Sequence, residues 1–422
     1  MKKYLNVVLT LFDANTNVTT DNTPGNDLSP DMKTFYEKVL IKTAEPKLVH
    51  DQFGQKYPIP KNGGKTIEFR KFTPLPKALT PLTEGVTPDG QPLDVTTLTS
   101  TVRQYGGYIT ISDVLQLTAI DNALVQATKL LGSQAGRTLD TVTREVLNGG
   151  TNVLYANGKT MRGALVGGDA TAANNDVMRV LDIRKAVRAL DVQNAEQING
   201  FYAGIVHPDV KFDIMSDPDW KAPHTYQDTT ELYNNEIGEV AGVRFVQSTE
   251  AKIFTKGEDF AEGLSYLTVS SYASKVITVS DDIDATVAAA LVGRHIILAS
   301  GEEAEITAAT AKAGATAATV TIKDTPGTNP ASADRLYPAG GGKAGRNVYS
   351  TLIIGDNAYG VTSIDGGGLK HIFKPFGSAG TSDPLDQRAT AGWKALKTAE
   401  RLVETYMIRI ESTSSFNDLD AN

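Results

Sequence analysis

Residues 61–72 read KNGGKTIEFRKF, and Gly64-Lys65-Thr66 spell the end of a phosphate-binding loop. Such a loop needs a glycine five positions before the Gly-Lys, a strand feeding it and a helix following it. Ile59 stands at the glycine position, flanked by Pro58 and Pro60, so no regular strand feeds the turn. Downstream, Ile67, Phe69 and Phe72 alternate mostly with Glu68, Arg70 and Lys71, which is a strand pattern. The expectation is a turn at Asn62-Gly63-Gly64 that launches a charged strand.

The acidic run HPDVKFDIMSDPDW carries Asp209, Asp213, Asp217 and Asp219, a set of carboxylates that suits a divalent cation. Asp209 and Asp213 are one helical turn apart, however, and Asp217-Pro218-Asp219 reads as a turn, so a solvated face is expected. SDDID at 280–284 lacks the central glycine and distal glutamate of a calcium loop. The five histidines, His50, His207, His224, His295 and His371, show no metal-ligand spacing, and no nucleophile elbow is present. The 49 acidic residues offer many carboxylate pairs, but two tryptophans make a poor sugar platform. No catalytic, cofactor-binding or metal-ligating residue is assigned, and no enzyme activity or cofactor is expected.

The 422 residues suggest two or three domains, and 41% hydrophobic content can fill a sizeable core. A net charge of −8 gives no global basic footprint for a nucleic-acid reader. The absence of cysteine removes disulfides, thiolate zinc sites and cysteine nucleophiles together. MKKYLNVVLTLF imitates a signal peptide, but Asn6 and Thr10 interrupt its apolar run and no cleavage site follows closely. No segment approaches the ~20 apolar residues of a membrane span.

The elements follow from periodicity. Residues 13–32 read as an extended polar arm, and 33–45 as a short amphipathic helix. Thr/Val/Tyr/Ile-rich residues 93–112 read as a strand returning from the Pro-rich segment 73–92, which makes a projecting flap. A lone hairpin is marginal in water, so another subunit is expected to cover it. From a cap at Ser112 or Asp113, a helix of about 35 residues should run near 50 Å to Asn148-Gly149-Gly150. A helix over 176–191, a buried strand, a short helix from Pro208 and a turn and strand over 238–249 follow. The Ala/Thr/Val/Gly-rich stretch 255–345 reads as a small inserted β-rich domain, and late strands close the chain.

Several segments carry a family resemblance: FGQKYPIPKNGGKTIEFRKFTPLPKALTPLTEGVTPDG, QYGGYITISDVLQLTAIDN, GEVAGVRFVQST and IFKPFGSAGTSDPLDQRATAGWKA. In this order they resemble the major capsid proteins of tailed bacteriophages, in the N4-like branch, over most of 30–250 and 346–415. The resemblance implies an α+β, Hong Kong-type capsid fold. Its expected segments are an N-terminal arm (1–58), an extended β flap or E-loop (59–111), and a spine helix with peripheral domain (112–175). An axial-type domain (176–254), the insert (255–345) and closing core strands (346–422) complete it.

The implied function is self-assembly into the icosahedral shell of a virion, built in the host cytoplasm as hexamers and pentamers. Portal and scaffolding proteins are implied partners, as is packaged double-stranded DNA through weak nonspecific contact; no membrane is implied. On this reading Gly63 and Gly64 hinge an intersubunit flap. Lys65, Glu68, Arg70 and Lys71 orient it, while Ile67, Phe69, Leu75 and Leu79 bury against the neighbour. An encapsulin-like cage is the nearest alternative, then a secreted surface-array or adhesin protein. The insert is expected to project from the outer shell surface.

Overall fold

A computed structural model describes residues 48–58, 65–72, 75, 77–79, 81, 84–85, 90–93, 95–113, 123–167, 175–220, 238–362, 369–378 and 383–416, the side chains of 71–72 and 123–125 excepted. The expected arm helix at 33–45 and the Gly63-Gly64 turn lie outside these residues. The fold class is α+β, as expected. The first strands are β1 (Gln55–Tyr57), β2 (Thr66–Phe72), β3 (Val95–Thr101) and β4 (Arg103–Ser112), followed by helix α1 (Ala123–Asn148). Next come β5 (Val153–Tyr155), α2 (Val180–Val192), β6 (Tyr202–Val206), α3 (Pro208–Ser216), β7 (Glu239–Val240), β8 (Val243–Gln247) and β9 (Ile253–Phe254).

A barrel segment holds β10 (Leu267–Ala273), β11 (Val276–Val279), α4 (Ala285–Leu291), β12 (His295–Ile297), β13 (Glu303–Thr310), β14 (Ala318–Ile322) and β15 (Arg335–Pro338). The chain closes with β16 (Val348–Ile354), β17 (Tyr359–Thr362), β18 (Leu369–Lys374), β19 (Arg388–Lys397), β20 (Ala399–Arg401) and β21 (Met407–Ser412). It divides into two compact units, one from Met1–Thr143 with Gly360–Glu400 and one from Arg144–Tyr359 with Arg401–Asn422.

In the first unit β19 lies between β18 and β4 in an antiparallel sheet. Its inward positions alternate small and large: Ala391 faces Ile109 and Phe373, Ala395 faces Tyr105 and Leu369, and Trp393 faces Gly107 and His371. Leu131, Ala135 and Leu139 recur at helical spacing on α1 and close this core with Leu48. Gly107 has a specific reason: a Cβ there would lie 2.7 Å from Gln134 Oε1 and 3.3 Å from Trp393 Nε1. Its absence lets the Trp393 indole donate to Gln134 at 3.1 Å. Below this core, His50 donates its backbone N–H to Asp140 (2.8 Å) and pairs with it through Nδ1 (2.7 Å). The adjacent Asp51 accepts from Thr143 Oγ1 (2.6 Å) and from the fully buried Lys397 ammonium.

Ser112 ends β4 and Asp113 has helical backbone; 114–122 of the expected spine helix lie outside the described residues, and its described part is the 26-residue α1. One expectation is corrected here. The single strand expected over 93–112 is two strands with different partners. The ladder breaks at Val102, whose N–H donates to Lys65 O at 2.8 Å; β3 pairs with β2, and β4 pairs with β19.

The second unit is built on a seven-stranded mixed sheet in the order β5-β21-β16-β6-β8-β7, with β9 on β16. β6, β16 and β21 are buried along their whole length. This explains the continuous apolar run of β6, whereas β21 buries Arg409 and Glu411 as a pair. α2 packs Val180, Ile183, Ala186 and Leu190 onto the sheet, and α3 packs Val210 and Ile214. The helix expected from 176 starts at Val180, because the Asp217 carboxylate accepts from Val180 N–H at 2.9 Å and caps it from a distant turn. Glu411, wholly buried on β21, accepts both Arg162 Nε and Nη2 (2.7 Å each) and Arg409 Nε (2.8 Å). The Arg162 guanidinium also stacks on Phe254, 3.5 Å from the ring centroid. The sequence between β9 and β16 forms a closed six-stranded barrel in the order β10-β11-β14-β13-β12-β15, filled by Leu267, Ile277, Leu291, Ile306, Val320 and Leu336.

Glu404 couples this unit to pH. It accepts from the backbone N–H and the hydroxyl of Thr151, the latter at 2.9 Å. The amide bond above all holds its carboxyl below the usual glutamate range, against partial burial and with help from Arg401. A carboxyl with a lowered folded pKa contributes stability above its unfolded value, about 4.3, and loses it as pH falls through the folded value. Glu404→Gln should therefore cost up to about 1 kcal/mol at pH 7, and this cost should vanish in acid. Denaturant melts of both forms from pH 7 to pH 3 measure it; a difference that does not change with pH would contradict the assignment.

Candidate functional site

The flap strands β2 and β3 pair over seven residues, from Thr66–Thr101 to Phe72–Val95. Alternation sorts the faces of β2: Ile67 and Phe69 turn inward, while Lys65, Glu68 and Arg70 are exposed. Phe69 is wholly buried, in edge contact with Tyr57 at 4.8 Å between centroids. It lies against Gly360 of β17, where a Cβ would come 2.6 Å from its ring. On β3, Ser100 Oγ and Thr398 Oγ1 share a hydrogen bond of 2.7 Å. The flap base is thus stapled to its own unit, on the small sheet made by β1, β17 and β20.

This corrects the expected contact set. Ile67 and Phe69 are covered by their own unit, so neither awaits a neighbour. Leu75 and Leu79 are exposed, by 55% and 83%, and Leu93 and Val95 join them at 65% and 43%. Sequence reading assigned the apolar contact to the ascending arm alone and missed Leu93 and Val95, although both stand among polar residues in an extended run. Lys71 pairs with Thr96 through its backbone, and Gly63 and Gly64 lie outside the described residues.

The acidic run on α3 is not a solvated face. Asp213 is buried and accepts from Ser415 through both backbone N–H (3.1 Å) and hydroxyl; burial pushes its carboxyl above the usual range, against the serine bonds. Asp209 accepts from Tyr349 OH at 2.9 Å, and its backbone N–H donates to His207 Nδ1 at 3.3 Å. Asp217 caps α2, and Asp284 of SDDID caps α4 by accepting from Val287 N–H at 2.7 Å. These carboxylates organise backbone. Among the described residues no group of three or more His, Asp or Glu is placed to hold a metal ion. An open groove of about 470 Å³ beside α2, lined by Arg184, Arg188 and Asp191 with Val187, Val192 and Ala241, brings together no nucleophile and base.

If Phe69 fixes the flap base, filling the space at Gly360 should release it. Gly360→Val is expected to destabilise the first unit by about 1–3 kcal/mol. Hydrogen exchange should become faster in β2 and β3 well before α2 or β6. Uniform loss of protection across both units would argue against a local staple.

Comparison with known proteins gives the frame for this geometry. Residues 95–300 match the family of phage capsid proteins. No curated protein sequence matches the chain. Among solved structures, the capsid of cyanophage P-SCSP1u is similar at 11% identity and a TM-score of 0.49, over 86% of this chain and 87% of that one. The capsid of Ralstonia phage GP4 is similar at 13% identity and 0.45, over 88% and 87%. The acid-stable capsid of Helicobacter pylori bacteriophage KHP30 is similar at 11% and 0.48, over 85% and 87%. The family match runs from β3 through β4, α1, β5, α2, β6, α3 and β7–β9 to β12 in the barrel, and over these residues the chain is similar to phage capsid proteins.

Proposed function

We propose that this chain is the major capsid protein of a tailed phage, with a Hong Kong-type fold, that it builds an icosahedral shell from hexamers and pentamers around a double-stranded DNA genome, and that its flap is the main device joining neighbours. One observation carries the proposal: the flap base is fixed to its own unit through Phe69, while Leu75, Leu79, Leu93 and Val95 beyond it remain exposed. Each leucine buried against another subunit contributes about 1.5–3 kcal/mol before the costs of association. Lys65, Glu68 and Arg70 orient the contact, at about 0–1 kcal/mol per exposed pair. Gly63 and Gly64 supply a hinge below it. Portal and scaffolding proteins complete the particle, and the N4-like branch is the proposed lineage. DNA is touched weakly and without sequence preference through local basic residues.

Negative-stain electron microscopy of the purified chain, alone and co-expressed with a scaffold, tests this. Closed shells or capsomers are expected. Leu79→Asp combined with Leu93→Asp should abolish them while leaving the subunit's melting transition unchanged. Normal shells from that variant would overturn the role of the flap. Particles filled with an enzyme instead of DNA would return the cage reading.

A further inference from the structure

Lys397 is the last inward position of β19, in series with Ala391, Trp393 and Ala395. Its side chain ends in the core instead of in water, and its ammonium touches Asp51 Oδ2. Among the described residues Nζ has no other acceptor. This is also the one lysine–carboxylate pair, among the described residues, in which both members are buried.

Asp51 is held from its other side as well. Thr143 Oγ1 donates to its Oδ1 at 2.6 Å. The preceding residue, His50, is fastened to Asp140 by its backbone N–H at 2.8 Å and its Nδ1 at 2.7 Å. Asp140 and Thr143 are three apart on α1 and share one face of it. The carboxyl carbon of Asp51 is thus fixed beside an amine nitrogen, with one oxygen at the amine and the other under a hydroxyl donor. Burial makes such a pair costly to keep charged. Groups held in contact can react as though at about 10⁵–10⁸ M. The buried Glu411 of the second unit differs in kind: it faces guanidinium groups, which do not give up their protons.

We propose that Lys397 and Asp51 form an intramolecular isopeptide bond, so that the folded chain modifies itself. The ammonium passes one proton to Oδ2. The neutral Nζ then attacks Cγ and forms the new C–N bond. Negative charge gathers on Oδ1, where the Thr143 hydroxyl stabilises it. A second proton moves from Nζ to Oδ2, the Cγ–Oδ2 bond breaks and water leaves. An ammonium and a carboxylate have become one neutral amide and one water, with no oxidant, reductant or cofactor consumed. The amide oxygen keeps its bond from Thr143, and both buried charges are gone. The link ties the segment before β1 to the end of β19, 346 residues further on. It goes beyond the shell reading and stands without it.

Intact-mass spectrometry of the purified full chain tests this and needs no variant to fold. A chain lighter than its sequence by one water is expected. Trypsin should leave Lys397 uncut and yield residues 48–56 (LVHDQFGQK) joined to residues 395–401 (ALKTAER). Lys397→Arg keeps a cation beside Asp51 but cannot form the bond, so it should show its full mass and release 48–56 alone. Thr143→Val should lower the linked fraction at least tenfold at equal times after synthesis. A threonine that only supports the fold would lower the melting temperature and leave the linked fraction unchanged. A folded wild-type chain that keeps its full mass through days at pH 7 would overturn the proposal. So would a lost water that maps elsewhere, such as a succinimide at Asp89-Gly90, with Lys397 cut normally. Particles built from full-mass chains would remove this proposal alone, whereas a linked chain that forms no particle would remove the shell reading alone.

Discussion

A two-stranded hairpin cannot bury its own apolar face, and the flap meets this constraint at one point. Phe69 lies where β17 offers a glycine instead of a side chain, with Tyr57 closing over its edge. That contact fixes one face of β2 inward and sends Glu68 and Arg70 outward. It also sets which flap residues are left for a partner. The apolar residues that look available in sequence are of two kinds, those needed to hold the flap and those beyond the holding point. Only the second kind stays exposed.

Buried charge defines the geometry on either side. His50 with Asp140, and Asp51 with Lys397 and Thr143, tie the loop before β1 to α1 and to the end of β19 in the first unit. In the second unit Glu411 holds Arg162 and Arg409. Buried pairs of this kind contribute little net stability, but breaking one leaves an uncompensated charge at a cost of about 3–5 kcal/mol. They act against alternative registers. A slip of β19 by one residue would expose Lys397 and bury Lys394, and a slip of β21 would leave two guanidinium groups without their carboxylate.

Much of the fold was legible where local pattern and local partner coincide. The alternation of 66–72, the continuous apolar run of 202–206 and the proline opening α3 all appear where expected. What failed involved partners distant in sequence. Periodicity could not show that β3 and β4 belong to different sheets, because both alternate equally well across Val102. Asp217 sets the start of α2 from 37 residues away, as its hydrogen bond to Val180 shows. Asp213 read as a solvated carboxylate because nothing in its neighbourhood announces that Ser415 will arrive beside it. The same limit applied to the flap: Ile67 and Phe69 have the composition of an interface, and only the presence of Gly360 shows that they are already covered.

The barrel enters and leaves the second unit at a single rung. Phe254 at the end of β9 pairs with Val348 at the start of β16, and Ile253 pairs with Tyr349. Within the barrel, β10 closes on β15 through Leu267 and Leu336. To the surrounding sheet the barrel is therefore one loop, and loop-closure cost grows only slowly with length, by about 0.6 kcal/mol per doubling. The chain can therefore lengthen, replace or shed this module at little cost to the sheet that carries it, so variation in length is tolerated here while β16 and β21 stay fixed.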